Sequence, residues 1–471
     1  MILKQFYLGC LAHASYIVID ESTKTAVVVD PQRDIEQYLE EAEKHGAQIK
    51  QVILTHFHAD FVAGHLGLRD RVGAQICLGA KADAEYEFTA LDDGTNLELG
   101  NVRLHFLETP GHTPEGISIV VFDQTVSDDI PQAVFTGDTL FVGDVGRPDL
   151  MASIGVTAQE LGGMLYDSLH NKLMKLPDAT TVYPAHGAGS MCGKNLGKET
   201  FSTIGEQRSF NYALQPMSKE NFIGVVASEQ PEVPAYFSRD AQMNKMEHQT
   251  LEQSLAGGVP PLTLDQVFAL REKGAQVIDV RSESAFAHGH FEDSVSLGLD
   301  GKFATWAGTL LDPEQDIVIL GEVGQEKEAA MRLGRIGLDR VVGFLDGGMQ
   351  TLRHRPEAVS SYPMVSTQEL ADLLASDAPP LVVDIRSDGE YNTVHIEGSL
   401  NIPLSHLKER AHEIPLGVSI CLLCRTGYRS AIAASLLMAH DVPNLMDISG
   451  GIVAWTAADH PVISSAPSKQ T

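Results

Sequence analysis

Hydrophobic and polar positions change period along the chain. In the first 240 residues, short apolar runs at 26–29 and 52–55 read as buried strands. Between them Ile35, Tyr38, Leu39 and Ala42 mark one face of a helix, and polar loops such as Pro114-Glu115-Gly116 separate later runs. The segment 229–253, with Pro231, Pro234 and many polar residues, reads as a linker or connecting segment. Beyond it the pattern occurs twice. Val277-Ile-Asp-Val-Arg281 returns as Val382-Val-Asp-Ile-Arg386, His290-Phe-Glu-Asp-Ser294 as His395-Ile-Glu-Gly-Ser399, and Gly347-Gly348 as Gly450-Gly451. Each copy opens with an amphipathic helix, at 264–273 and then 367–374, and runs into a strand ending in Asp-x-Arg. Two copies of about 100 residues, each alternating strand and helix, predict two similar α/β domains with mainly parallel sheets. Their boundary falls at 354–363.

Composition narrows the class. A chain of 471 residues holds about three domains of ordinary size. Its formal net charge of −29 repels phosphate backbones and anionic lipid, which argues against nucleic-acid and membrane partners. An anionic substrate must then be held by local cations or by a metal. No apolar run approaches the ~18 residues of a spanning helix, and the first twenty positions lack a signal-peptide layout. Five cysteines, few and odd in number, point to free thiols in a reducing compartment, the cytoplasm. Cys10 and Cys77 lie in strand-like runs and read as core, and His65 and His105 as structural.

Four loops carry the first chemistry. Thr55-His56-Phe57-His58-Ala59-Asp60 follows a strand and opens a helix. Gly111-His112-Thr113, Thr136-Gly137-Asp138-Thr139 and Tyr183-Pro184-Ala185-His186-Gly187 each follow a β-like run. Imidazoles and carboxylates delivered to several strand ends suit a divalent transition metal.

These motifs, in this order, resemble the metallo-β-lactamase superfamily in its glyoxalase II and persulfide dioxygenase branch, over roughly residues 1–240. The resemblance implies two sheets packed face to face with helices outside, and a site at one edge of the sandwich. Binuclear glyoxalase II-like enzymes carry a His directly after the Asp of the first motif; here that residue is Phe61, so one metal is favoured. By resemblance to persulfide dioxygenases, His56, His112 and Asp138 would hold one Fe(II) per chain. Two His and one carboxylate form the facial triad of non-haem iron oxygenases. His58, Asp60 and His186 would orient ligands and water. Gly146-Arg147-Pro148-Asp149 resembles the family's Gly-Arg-x-Asp stretch, making Arg147 a candidate for a substrate carboxylate, with a loop-fixing pair to Asp149 as the alternative. Cys192, six residues after His186, is a candidate to bind or relay substrate sulfur, with simple packing as the alternative.

The second copy of the repeat contains Ile420-Cys421-Leu422-Leu423-Cys424-Arg425-Thr426-Gly427-Tyr428-Arg429-Ser430. A cysteine between a strand and a helix meets backbone N–H groups and a helix N-terminus, and both favour an anionic sulfur. Arg425 and Arg429 add positive charge, so Cys424 is the expected nucleophile. The loop resembles the rhodanese active loop, Cys-Arg-x-Gly-x-Arg-Ser, within a resemblance covering roughly 363–465. Aligning the copies on their Gly-Gly pairs puts Gly321 opposite Cys424, Glu322 opposite Arg425 and Glu326 opposite Arg429. The first copy therefore lacks the nucleophile and both cations, and is expected to be inactive and to dock its neighbours or line a path between them.

The resulting expectation is an α/β multidomain chain: an αββα metallo-β-lactamase sandwich at 1–245, an inactive rhodanese-like domain at 246–358, and an active rhodanese domain at 359–471. The resemblance implies that a glutathione-class persulfide reacts with O2 to give sulfite and thiol, coupled to sulfur transfer among persulfide, sulfite and thiosulfate. A zinc-dependent glyoxalase II-like or lactonase-type hydrolase is the alternative. A non-catalytic sulfur carrier is a third reading. A homo-oligomer is compatible with all three.

Overall fold

The computed structural model describes residues 1–150, 155–228, 230–415, 417–440 and 442–464. It divides into two units, one formed by Met1–Ala256 with Met331–Asp339, the other by Gly257–Ala330 with Arg340–Thr471. Among the described residues no helix is long and apolar enough to cross a membrane.

In the first unit, runs rich in β-branched residues become strands. Ile2–Leu8, His13–Asp20, Thr25–Val29, Gln48–Ile53, Gln75–Gly79 and Thr89–Leu91 form one sheet in chain order. The first three are antiparallel, and from Thr25–Val29 onward neighbours run parallel. The helices Glu36–Lys44 and His65–Val72 make two of the crossovers that parallel pairing requires. A second sheet is ordered Ser202–Thr203, Thr181–Pro184, Ala133–Gly137, Ile117–Asp123, Val102–Glu108, Asn96–Glu98. Strand alternation sorts its side chains between two cores. Leu104, Phe106, Ile119 and Phe135 meet Val18, Val27, Val29 and Ile53 of the first sheet. Val120, Val134 and Val182 turn outward, onto Leu165 and Leu169 of the helix Ala158–Asn171 and Phe222 and Val226 of Lys219–Ala227. This is the sandwich with external helices that the sequence led us to expect.

The segment 229–253, expected as a linker or connecting segment, is not an open linker. It contains the helices Phe237–Met243 and Leu251–Ser254, and Tyr236, Phe237, Asp240 and Asn244 are buried. The physical reason lies in Asn244. Its amide donates to the carbonyls of His58 and Phe61 (both 2.8 Å) and accepts from the N–H of Ala63 (2.8 Å). A tight loop carrying three candidate ligands leaves backbone groups that need such a partner. Cys10 also departs from expectation: it lies in the turn after Ile2–Leu8, only partly buried, whereas Cys77 is buried in a strand.

The second unit holds two five-stranded sheets, every pairing parallel. One is ordered Pro261–Leu262, Val341–Leu345, Ile317–Leu320, Gln276–Asp279, Val295–Ser296, the other Met364–Val365, Leu445–Ile448, Ile420–Leu423, Leu381–Asp384, Leu400–Asn401. The repeated Asp-x-Arg is a structural lock. Arg281 pairs with Asp279 and donates to the Gly289 carbonyl; Arg386 pairs with Asp384 and donates to the Val394 carbonyl. The repeated His is likewise stacked, His290 on Phe286 and His395 on Tyr391.

The Gly-Gly pair explains itself at Gly451. Its φ is +58°, and an added Cβ would sit 2.4 Å from the Cys424 carbonyl oxygen. The closeness lets Ile452 and Val453 donate their N–H groups to the carbonyls of Cys424 (2.8 Å) and Arg425 (3.2 Å). Gly451→Ala should destabilise the unit by about 1–3 kcal/mol through backbone strain and overpacking. Chemical denaturation measures that loss, and alkylation of Cys424 should become faster as its loop loosens.

Candidate metal centre and sulfur loop

The four loops foreseen in the sequence converge at one end of the sandwich. His56 follows Gln48–Ile53 of the first sheet, while His112, Asp138 and His186 follow Val102–Glu108, Ala133–Gly137 and Thr181–Pro184 of the second. Ligand atoms of His56, His112 and Asp138 lie within 4.8 Å of one another, and all three residues are buried. His56 Nε2 is 3.7 Å and His112 Nε2 3.4 Å from Asp138 Oδ2.

The tautomers follow from the other ring nitrogens. Thr55 Oγ1 donates to Asp30 Oδ2 (2.8 Å), so its contact with His56 Nδ1 (3.0 Å) must be acceptance of Nδ1–H. His112 Nδ1–H donates to the Arg147 carbonyl (2.9 Å). Both Nε2 lone pairs therefore turn toward Asp138. This is the donor set and the outer support that a divalent metal requires.

Electrostatics divide the imidazoles around this anion, His56 and His112 being kept neutral and His186 not. Burial lowers His56 and His112 below the ordinary histidine range. Burial would raise the Asp138 carboxyl, but His186 and His56 outweigh it and hold the group below the usual carboxylate range. His186 Nδ1 contacts Asp138 Oδ1 at 2.8 Å and its Nε2 approaches Asp60 Oδ2 at 2.9 Å. Burial works against the His186 cation, yet Asp138 and Asp60 raise it well above the normal range.

His58, Asp60 and His186 form a second gathered set, and Asp138, His186 and Cys192 a third. Phe61 is buried against His13 and His58, with ring centroids 4.0 and 4.5 Å away. The Arg147 guanidinium is buried and bidentate to Asp149 (2.7 and 2.8 Å), with a further bond to the Met191 carbonyl (3.1 Å). Cys192 is buried, and desolvation with Asp60 and Asp138 nearby pushes its thiol up.

Three participants escaped the sequence reading. Asp30 sits at the end of Thr25–Val29 and anchors Thr55, and thereby His56. His13 bridges to His186 across strand ends, and neither of its ring nitrogens has a hydrogen-bond partner. Thr113 lines the cleft beside His56, His112 and Asp138, and its buried hydroxyl is also unpartnered. Thr113 lay inside a quoted motif, so its position was the available signal; Asp30 and His13 arrive from distant strands.

In the last repeat Cys424 leaves the strand Ile420–Leu423 and is buried. The N–H of Gly427, a residue with φ of +119°, donates to Cys424 Sγ at 3.0 Å. Arg429 is bidentate to Glu390 (2.7 and 2.8 Å), and Arg425 is exposed at the rim. In the middle repeat, the N–H of Gly324, opposite Gly427, donates instead to Glu326 Oε2 (2.8 Å). The two repeats touch beside this loop: Tyr428 donates to the Gly298 carbonyl (3.0 Å).

Comparison with known proteins agrees with this architecture. Residues 8–186 match the model of the metallo-beta-lactamase superfamily, and residues 263–354 and 366–458 each match that of the rhodanese-like domain. A cytoplasmic hydroxyacylglutathione hydrolase of Arabidopsis thaliana is 38% identical over 187 residues, covering 39% of this chain and 67% of the relative. The human mitochondrial persulfide dioxygenase ETHE1 is 29% identical over 240 residues, covering 48% of this chain and 81% of the relative. A crystal structure of a metallo-beta-lactamase from Staphylococcus aureus superposes with a TM-score of 0.66 at 30% identity, over 73% of this chain and 98% of that one. The chain thus belongs to the metallo-β-lactamase superfamily and carries two rhodanese-like domains after that fold.

Proposed function

We propose that the chain oxidises a low-molecular-weight persulfide of the glutathione class with O2 at one iron(II), and moves sulfane sulfur among persulfide, sulfite and thiosulfate at Cys424. The first reaction balances as R–S–S⁻ + O2 + H2O giving R–SH + SO3²⁻ + H⁺. In the second, the Cys424 thiolate takes the outer sulfur of thiosulfate and releases sulfite, or the reverse. The domains are then 1–245 for oxidation, 246–358 without a nucleophile, and 359–471 for transfer. Five free cysteines support a reducing compartment, the cytoplasm.

The observation that carries the reading is the supported triad of His56, His112 and Asp138 beside a cleft. Bound there, iron(II) supplies a redox-active Lewis acid, which zinc, with one accessible oxidation state, does not. Thr55 and the Arg147 carbonyl hold the two imidazoles in the ligating tautomer. His186 steadies Asp138 and is steadied by Asp60, with His58 alongside. The Thr113 hydroxyl is available to a substrate in the cleft. Arg147, bound to Asp149, is read as fixing the loop that orients His112 rather than as holding substrate. Cys192 is read as a thiol that could bind or relay sulfur next to the centre, supported by its closeness to Asp138 and His186. Arg425 and Arg429 supply the positive charge around Cys424. In the middle repeat Glu326 takes the N–H that would cradle sulfur, which supports its lack of activity.

A hydrolase with two zinc ions is the second reading, favoured by the additional His58, Asp60 and His186 set. Phe61 weighs against it, because an apolar ring packs where that class places a ligand.

Protein loaded anaerobically with Fe(II) should consume O2 catalytically on addition of glutathione persulfide and yield sulfite and thiosulfate. Two tightly held zinc ions per chain, with thioester hydrolysis and no O2 uptake, would replace this reading by the hydrolase. Thr55→Val should weaken iron affinity about 10–100-fold, measured by chelator competition, since His56 loses its orienting acceptor. Cys424→Ser should abolish sulfur transfer from thiosulfate and the sulfur adduct seen by intact mass; retained transfer would move the nucleophile elsewhere.

A further inference from the structure

Behind the Cys424 loop runs a buried chain of polar groups. Cys424 Sγ lies 3.4 Å from Ser430 Oγ, and Ser430 Oγ lies 2.8 Å from Asp447 Oδ2. The three residues are no more than 1% exposed. Asp447 sits on the strand Leu445–Ile448, next to the strand that delivers Cys424. Among the described residues no cation pairs with it, and its second oxygen, Oδ1, has no hydrogen-bond partner. An acid so placed is costly unless it has work to do or stays neutral.

The constraint is the count of hydrogens. Ser430 has one hydroxyl hydrogen and three acceptors in reach: the sulfur, Asp447 Oδ2 and the Gly427 carbonyl (2.9 Å). If Asp447 is a carboxylate, it takes that hydrogen and the sulfur gets none. If Asp447 is protonated, it donates to Ser430, whose hydrogen is then free for the sulfur. Burial, only partly countered by Ser430 and the Ile448 N–H, pushes the Asp447 carboxyl up to about 8. The carboxyl thus changes protonation near neutrality, so both arrangements are within reach and the carboxylate form can accept a proton.

We propose that Ser430 and Asp447 form a proton relay for Cys424. Before transfer, Cys424–SH with Asp447–COO⁻ becomes Cys424–S⁻ with Asp447–COOH, the proton passing through the Ser430 hydroxyl. The thiolate then attacks the outer sulfur of thiosulfate. The new bond joins the Cys424 sulfur to that atom; the donor's S–S bond breaks, and its electron pair leaves on sulfite. The product, Cys424–S–S⁻, keeps the negative charge while Asp447 keeps the proton, and discharge of the persulfide followed by return of the proton restores the thiol. No external oxidant or reductant enters. Ser430 touches the reacting sulfur; Asp447 acts through it and is a positioning residue.

Other titratable groups face the pair. Tyr362, whose buried hydroxyl has no partner among the described residues, senses Asp447, Glu283 and Cys424. Cys421 senses Asp447 from the adjoining strand. Arg429 senses Cys424 but is held by Glu390. None of them lies between the sulfur and Asp447 in the hydrogen-bonded chain. The middle repeat provides a control: with Gly321 opposite Cys424, Lys327 stands opposite Ser430 and Phe344 opposite Asp447. Nucleophile, hydroxyl and acid are missing together.

This inference rests on Cys424 as the sulfur-transfer nucleophile, and the test separates the two. Full-length wild type, Asp447→Asn, Ser430→Ala, Ser430→Thr and the double variant Asp447→Asn/Ser430→Ala are treated with thiosulfate, and the Cys424 peptide is followed by mass. The pH profile of Cys424 alkylation by iodoacetamide is recorded beside it. The relay predicts two coupled ionisations in wild type and one in Asp447→Asn. Ser430→Ala should behave like Asp447→Asn, the double variant should lose nothing further, and Ser430→Thr should restore the two-step profile. Persulfide formation should slow about 100-fold in the single relay variants, the low end of general acid–base effects. A two-step profile that survives in Asp447→Asn or Ser430→Ala overturns the relay, as do independent, multiplying losses in the double variant. If wild-type Cys424 gains no sulfur from thiosulfate or glutathione persulfide, the transfer reading itself falls.

Discussion

The first unit depends on one buried anion. Asp138 lies in the interior and, among the described residues, has no Lys or Arg in contact, and an isolated buried carboxylate is too costly to persist. What sustains it is the His186 ring, which donates to it and is raised toward its cationic form between Asp138 and Asp60, while His56 and His112 turn toward it from two other loops. Those imidazoles are in turn held by groups that belong to the sandwich itself: Asp30 through Thr55, the Arg147 carbonyl, and Asp60. The site and the fold are thus the same network read from two ends. Sheet pairing brings the strand ends together, and the charge at Asp138 makes any misplacement of those ends expensive.

The middle and last repeats separate frame from chemistry. Both keep the Asp-x-Arg lock, the stacked His, and a glycine pressed against the loop carbonyl. They differ in what accepts one N–H of the loop. One holds a sulfur through Gly427; the other closes the same position with its own Glu326 carboxylate. The frame therefore survives without the cysteine because a carboxylate satisfies the equivalent backbone N–H. Tyr428 touching Gly298 shows the frame of one copy in contact with the loop of the other.

How much of this was legible follows from what a linear motif encodes. Candidate site residues announce themselves when they share a loop or repeat a known order, as His56, His112, Asp138 and His186 do, and the repeat exposed both later sheets. Partners that reach the site from another strand leave no local trace. Asp30 and Thr55 are 25 positions apart, and His13 meets His186 only because their strand ends pair. The misread segment 229–253 fails for a related reason. Its prolines and polar residues look like a linker, but Asn244 is polar in order to satisfy buried backbone groups of the His58–Phe61 loop.

The acidity of the chain gives these details a common logic. With a net charge of −29, long-range attraction cannot gather anionic sulfur species. At the Cys424 loop the Arg429 guanidinium is already matched by Glu390, so its field at the sulfur is partly cancelled. What remains close to the sulfur is a set of neutral donors: the Gly427 N–H and the Ser430 hydroxyl. Fixed N–H and O–H dipoles in a buried loop act at short range, where screening by water is weak and the surrounding charge matters least. A neutral, protonated Asp447 extends that set by one more donor. An acidic protein can in this way stabilise an anion with groups that carry no net charge.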